Sequence, residues 1–185
     1  MGMDELLSTL TSGRMVVFCG RHAAREQATA AIAGLALRGP VIVLDSGNRF
    51  QPYRVARILR HETKQVEEIA QRLIVRRAFT CYQTMALLEG TPASAHPYVV
   101  LDLLSSFYDE GVRLQECARL LDACLRQLER LKARAPVMLT LAPPRLEERA
   151  FLLEEVFAAA DRVLFESDSL PQLGSGTPTQ PTLFT

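Results

Sequence analysis

The sequence predicts a three-layer α/β domain, a mainly parallel β-sheet sandwiched between helices. Three observations carry this. Short runs such as MVVFC, VIVL, YVVL and VMLTL are apolar throughout, which suits strands buried on both faces better than half-exposed ones. The longer segments between them repeat apolar residues at helical spacing. The two signals alternate along residues 1–166, as they do where helices cross between parallel strands.

Residues 4–10 are amphipathic and read as a short helix. Residues 15–19 form the first apolar strand, ending at Gly20. Residues 23–37 are rich in Ala and Leu at helical spacing, and Gly39-Pro40 stops them. The strand at 41–44 is closed by Asp45. Helices are expected at 52–60 and 66–73, a short strand at 75–78 and a short helix at 84–89. The strand at 98–101 runs into Asp102. Residues 115–133 are the clearest helix, with Leu120, Leu121, Cys124, Leu125, Leu128 and Leu131 on one stripe. That stripe is core, not a cofactor site. Pro143-Pro144 ends the strand at 137–141. A helix at 146–160 and a strand at 162–166 complete the pattern, with no internal repeat.

The chain's 185 residues suffice for one domain with a sizeable core. After Glu166 the residues turn to Gly, Ser, Thr and Pro, so 167–185 read as a disordered tail. The 21 basic and 21 acidic residues cancel. There is then no global field to hold a polyanion, and direct DNA binding is expected to be weak or absent. Low net charge also permits homo- or hetero-oligomers. Cys19, Cys81, Cys117 and Cys124 form no CxxC pair and no Cys/His cluster, which argues against a metal site and for buried free thiols in a reducing compartment. The first ten residues do not read as a signal peptide. No apolar run approaches the ~20 residues of a membrane span. The expectation is a cytoplasmic protein with no membrane partner.

The stretch VIVLDSGNRFQPYRVARIL (41–59), followed by Ala78-Phe79, is similar to the core of the RecA/RadA recombinase family, in which a strand ends in Asp and Phe-x-Pro-x-Arg opens a helix. Asp45, Phe50, Pro52 and Arg54 fall in those places. Residues 98–144 resemble that family's Walker B strand, long helix and next strand, and 160–163 resemble the end of its core. The resemblance covers the folded part in element order. It implies a RecA-like P-loop NTPase fold.

The departures bear on activity. A working P-loop reads GxxxxGK[ST]: its backbone amides cradle phosphates, its Lys neutralises them and its Ser/Thr binds magnesium. Here Gly20 is followed by Arg21, His22, Ala23 and Ala24. Arg25 then replaces the second Gly, Glu26 the Lys and Gln27 the Ser/Thr. A Glu in place of the Lys would repel a polyphosphate by on the order of 4 kcal/mol at ~4 Å and an effective dielectric of ~20. The family's water-activating Glu falls on Gly47, which cannot act as a base. Asp102 holds the Walker B position, either as a strand-capping relic or as a magnesium ligand. The Gln expected after residues 137–141 is absent, and the DNA-binding loop is very short. The resemblance therefore implies a degenerate nucleotide site, no ATPase activity and no cofactor.

Other signals have a bland and a functional reading each. Arg21, His22 and Arg25 could bind an anion at a helix N-terminus or belong to a solvated loop. Arg72, Arg76 and Arg77, and likewise Arg126, Arg130, Lys132 and Arg134, read as solvated faces or as a weak DNA-contacting face. His61 and His96 lack companion ligands and are expected at the surface. Near the C-terminus, Gln180, Leu183 and Phe184 fit Gln-x-x-Leu-Phe, which resembles the bacterial sliding-clamp-binding peptide. A Leu-Phe pair on a polar segment fills a partner's apolar cleft while the Gln bonds at its rim.

Together these imply a non-catalytic RecA-like accessory factor in DNA repair or translesion synthesis, similar to the ImuA-type proteins that accompany error-prone polymerases. Its partners would be the sliding clamp (β subunit), through the tail, and a DNA polymerase or recombinase. The alternatives are a RadA/RadB-like recombination paralogue that regulates a recombinase filament, or a divergent nucleotide-binding ATPase.

Overall fold

The structure, a computed structural model, describes residues 3–166. The tail, with Gln180, Leu183 and Phe184, lies outside them. In chain order the elements are α1 (Met3–Thr9), β1 (Met15–Cys19), α2 (Arg25–Arg38), β2 (Val41–Asp45), α3 (Pro52–Glu62), α4 (Val66–Ala70), β3 (Leu73–Arg77), α5 (Cys81–Glu89), β4 (Tyr98–Leu101), α6 (Leu114–Lys132), β5 (Val137–Leu141), α7 (Ala150–Ala159) and β6 (Arg162–Phe165). Short 3-10 turns at Ser105–Tyr108 and Glu147–Arg149 precede α6 and α7.

The six strands form one sheet in the order β3-β2-β4-β5-β1-β6. Every pairing is parallel, so the sheet is wholly rather than mainly parallel. The order also differs from the 3-2-1-4-5-6 of the dinucleotide-binding doubly wound fold, because β1 lies between β5 and β6.

Alternation along each strand divides the interior in two. Val16, Phe18, Val41, Val43, Val99 and Leu101 face α1 to α4. Met15, Val17, Ile42, Leu44, Tyr98, Val100 and Leu139 face α5 to α7. The α6 stripe enters the second core: Cys117, Leu120, Leu121, Cys124, Leu128 and Leu131 are buried, each leucine contributing roughly 1.5–3 kcal/mol. Leu125 is partly buried beside it. All four cysteines are free and buried. Among the described residues no helix is long and apolar enough to cross a membrane.

The boundaries differ from expectation where tertiary bonds decide them. The helix expected at 66–73 stops at Ala70. Val41 N–H donates to Arg72 O (3.0 Å), and Leu73 pairs with Val41, so the sheet claims 73–77. The helix expected from 84 starts at Cys81, because Thr80 caps it by accepting from Gln83 N–H (3.1 Å). The helix expected from 23 starts at Arg25, because Ala23 and Ala24 are left-handed (φ 53° and 46°).

Candidate functional site

The motif residues meet along the carboxyl edge of the sheet. The chain leaves β1 and β2 toward the α1–α4 face, and β4 and β5 toward the α5–α7 face. The strand order therefore places a switch of direction between β2 and β4 and another between β5 and β1. Open α/β sheets bind ligands in such crevices.

The loop after β1 opens the second crevice. Gly20 N–H donates to Leu141 O (3.0 Å), and Ala23 N–H donates back to Gly20 O (2.9 Å). The two left-handed alanines that follow cost roughly 1–2 kcal/mol each. They are buried, so packing holds them. Glu166 lies directly over Gly20: its N–H donates to Cys19 O (3.0 Å), and an ideal Cβ on Gly20 would run into its Oε2. With the Gln27 amide turned to satisfy its neighbours, its nitrogen donates to Glu166 Oε1 (2.9 Å) and Ala24 O (3.2 Å). A carboxylate of the chain itself thus sits beside the loop where the resemblance expects phosphates. Glu26 turns instead to α3 and pairs with Arg54 (2.8 Å). The repulsion expected from Glu26 is therefore offset by its partner. Arg21 and His22 are exposed, and Arg25 is half-buried.

Asp45, Gly47 and Asp102 converge at the first crevice. Asp45 is wholly buried. It accepts from Arg49 N–H (2.8 Å) and Phe50 N–H (3.0 Å), and the Arg77 guanidinium lies 3.3 Å away. Asp102 is buried and left-handed (φ 49°). Its Oδ2 accepts from Arg49 Nε (2.7 Å), its Oδ1 from Ala142 N–H (3.4 Å), and its own N–H donates to Thr140 Oγ1 (3.0 Å). Gly47 is pressed onto it: an ideal Cβ there would lie 2.6 Å from Asp102 Cβ and 2.9 Å from Oδ2. Both carboxylates are thus held by arginines, and this backbone leaves no room for a side chain at 47.

Burial, reinforced by the Glu166 and Asp102 carboxylates, pushes the Cys19 thiol up to about 11. Burial likewise raises the Tyr108 hydroxyl well above the usual phenol range, and it donates to Ala142 O (3.1 Å).

The basic clusters split by task. Arg72 donates to Ala36 O and Leu37 O at the end of α2 and pairs with Glu68. Arg130 donates to Leu88 O (3.0 Å) in the last turn of α5 and to Thr91 O (2.8 Å) just beyond it. Lys132 pairs with Glu129 and Asp161, and Arg126 with Asp122. Arg76 and Arg134 are exposed. Most of these cations cap helices or pair with acids. His61 is exposed and His96 half-buried. Among the described residues no group of His, Cys, Asp and Glu is arranged to hold a metal ion.

Sequence reasoning missed Arg49, Arg149 and Glu166, and it placed Arg77 in a basic cluster rather than beside Asp45. Arg49 stands four residues beyond Asp45, yet its partner Asp102 is 53 residues away. Only the β2–β4 pairing joins them. Compared with models of known protein families and with curated proteins, the chain matches none.

Proposed function

We propose that this chain is a non-catalytic RecA-like accessory protein of DNA repair or translesion synthesis. It acts through protein–protein contacts, with Gln180, Leu183 and Phe184 as a tether to the bacterial sliding clamp and a DNA polymerase or recombinase as second partner. One observation carries the non-catalytic reading: Arg49 occupies the Asp102 carboxylate while Gly47 packs against it. A magnesium ion would have to displace a guanidinium, and a general base at 47 would have to displace Asp102. Glu166 beside Gly20 supports the same reading. The RecA-like assignment draws on the all-parallel sheet, whose carboxyl edge gathers the degenerate motif residues.

The test is a titration of the full chain against the sliding clamp, beside a Leu183→Ala/Phe184→Ala variant. Two apolar anchors contribute roughly 3–6 kcal/mol before ordering costs, so micromolar binding that the variant loses is expected. No binding by the intact chain removes the tether. Hydrolysis of ATP by the full chain with magnesium would remove the non-catalytic reading, while the absence of any thermal shift with ATP and magnesium would remove the nucleotide-dependent alternative, since ligand at 100 times its Kd adds about 2.7 kcal/mol.

The recombination-paralogue reading is favoured by a different observation. β3 is an edge strand with Ile74 exposed, and Phe79 is exposed just beyond it. A partner strand can add to such an edge. Capture of the recombinase in place of the clamp would decide for it.

A further inference from the structure

Beyond the motif residues, the switch of direction between β5 and β1 opens into a cleft of about 410 Å3. Arg21 from the loop after β1, and Arg145 and Arg149 from the connection between β5 and α7, line it. Arg49 and Asp102 form its inner wall, already paired with each other, and Glu110 is the other acid.

Arg149 is the unusual member. It is only 3% exposed. Its guanidinium donates to Phe107 O (2.6 Å) and Val112 O (2.9 Å) and lies 3.3 Å from Cys117 Sγ. Its Nε is buried without a partner. Among the described residues no carboxylate pairs with it, nor with Arg21 or Arg145. Carbonyls orient a buried cation but do not cancel its charge, and an uncompensated buried charge is costly. With the Arg49–Asp102 pair set aside, the cleft keeps three cations against Glu110.

We propose that this cleft binds a compact phosphate oxyanion, gripped by Arg21 and Arg145 at the mouth, with the buried Arg149 guanidinium as fixed positive charge behind them. Exposed arginines supply paired N–H donors to phosphate oxygens. Arg149, locked by two carbonyls, contributes field without having to reorganise. The site is built from side chains, Arg21 being the residue after Gly20, and does not use the loop amides over which Glu166 sits. It does not depend on the accessory reading, since clamp binding tests the tail and phosphate binding tests this cleft.

The test is calorimetric titration of the full chain with pyrophosphate and with inorganic phosphate, at low salt and without magnesium. Arg21→Ala and Arg145→Ala, both at exposed positions, should each weaken pyrophosphate about tenfold, equivalent to about 1.4 kcal/mol. The double variant should bind neither ion, and added salt should weaken the wild type. Because removing Arg149 risks the fold, the exposed pair decides. A 5′-phosphorylated oligonucleotide run beside its 5′-hydroxyl twin separates the sources. Preference for the phosphorylated strand, lost in the double variant, places the phosphate on a strand end, while binding of the free ions alone assigns a small molecule. No heat from any phosphate probe, or affinity unchanged in the double variant, overturns the proposal.

Discussion

Position 47 is decided by the residue opposite it. The turn after β2 brings the Gly47 backbone against Asp102, and a Cβ would lie 2.6 Å from Asp102 Cβ. Either the turn or Asp102 must then move. Asp102 is poorly placed to give way, because Arg49, Ala142 N–H and Thr140 hold it from three directions. Gly47→Ala should therefore destabilise the domain by about 1–3 kcal/mol, the usual cost of overpacking, read as a lower urea midpoint at unchanged slope. A midpoint equal to wild type would mean that the turn yields freely. The resemblance to the recombinase core names Asp45, Gly47 and Asp102 as one group, and the parallel pairing of β2 with β4 brings them together. The resemblance assigns Gly47 only a lost function. That the missing side chain is also a packing requirement depends on a neighbour 55 residues away, which no local pattern encodes.

Elements were legible where burial is two-sided and blurred where one contact sets an end. The runs at 15–19, 98–101 and 137–141 coincide with β1, β4 and β5, because a strand covered on both faces is apolar throughout. β3 starts two residues and ends one residue before the expected strand: as an edge strand it is half-exposed, and its sequence LIVRR mixes apolar with charged residues. Other junctions rest on single side chains. Asp161, just before β6, accepts from Met15 N–H at the start of β1 (2.7 Å), and Lys132 at the end of α6 lies 3.3 Å away. The Met15 N–H, with Lys132 behind it, holds the Asp161 carboxyl below its ordinary 3.8. A carboxylate whose folded pKa is depressed stabilises the fold above its unfolded value, and that contribution fades as pH falls through the folded one. Asp161→Asn should thus be less stable than wild type at pH 7. Its deficit should shrink as pH drops below the ordinary carboxylate range, where wild type loses the same charge. A deficit independent of pH, in denaturation curves taken across that range, would show that shape rather than charge ties β6 to β1 and α6.

Across the whole molecule the two helix layers share one sheet but not one core. All four thiols lie on a single side, within the cluster formed with α5 to α7, and none lies among the α1–α4 contacts. All four are buried. Burial pushes Cys124 up to about 12 and Cys19 up to about 11, and it raises Cys81 above its ordinary value. Since only the thiolate reacts, modification at pH 8 has to wait for that layer to open, whereas amide exchange in β1 and β2 reports on the sheet itself. Because α5 to α7 pack on the same five-residue strands that carry the opposite core, neither layer can leave without exposing the sheet, and one cooperative unit is expected. Thiol labelling of the native chain should then proceed in one slow phase for all four cysteines. Its opening free energy should match that from exchange at Val17 and Val43, and labelling should become immediate in denaturant. Faster labelling of Cys117 and Cys124 than of the strand amides would show that the α5–α7 layer opens by itself. The Arg149 cleft, lined by Arg145 and Arg149 from the connection into α7, would then open with it.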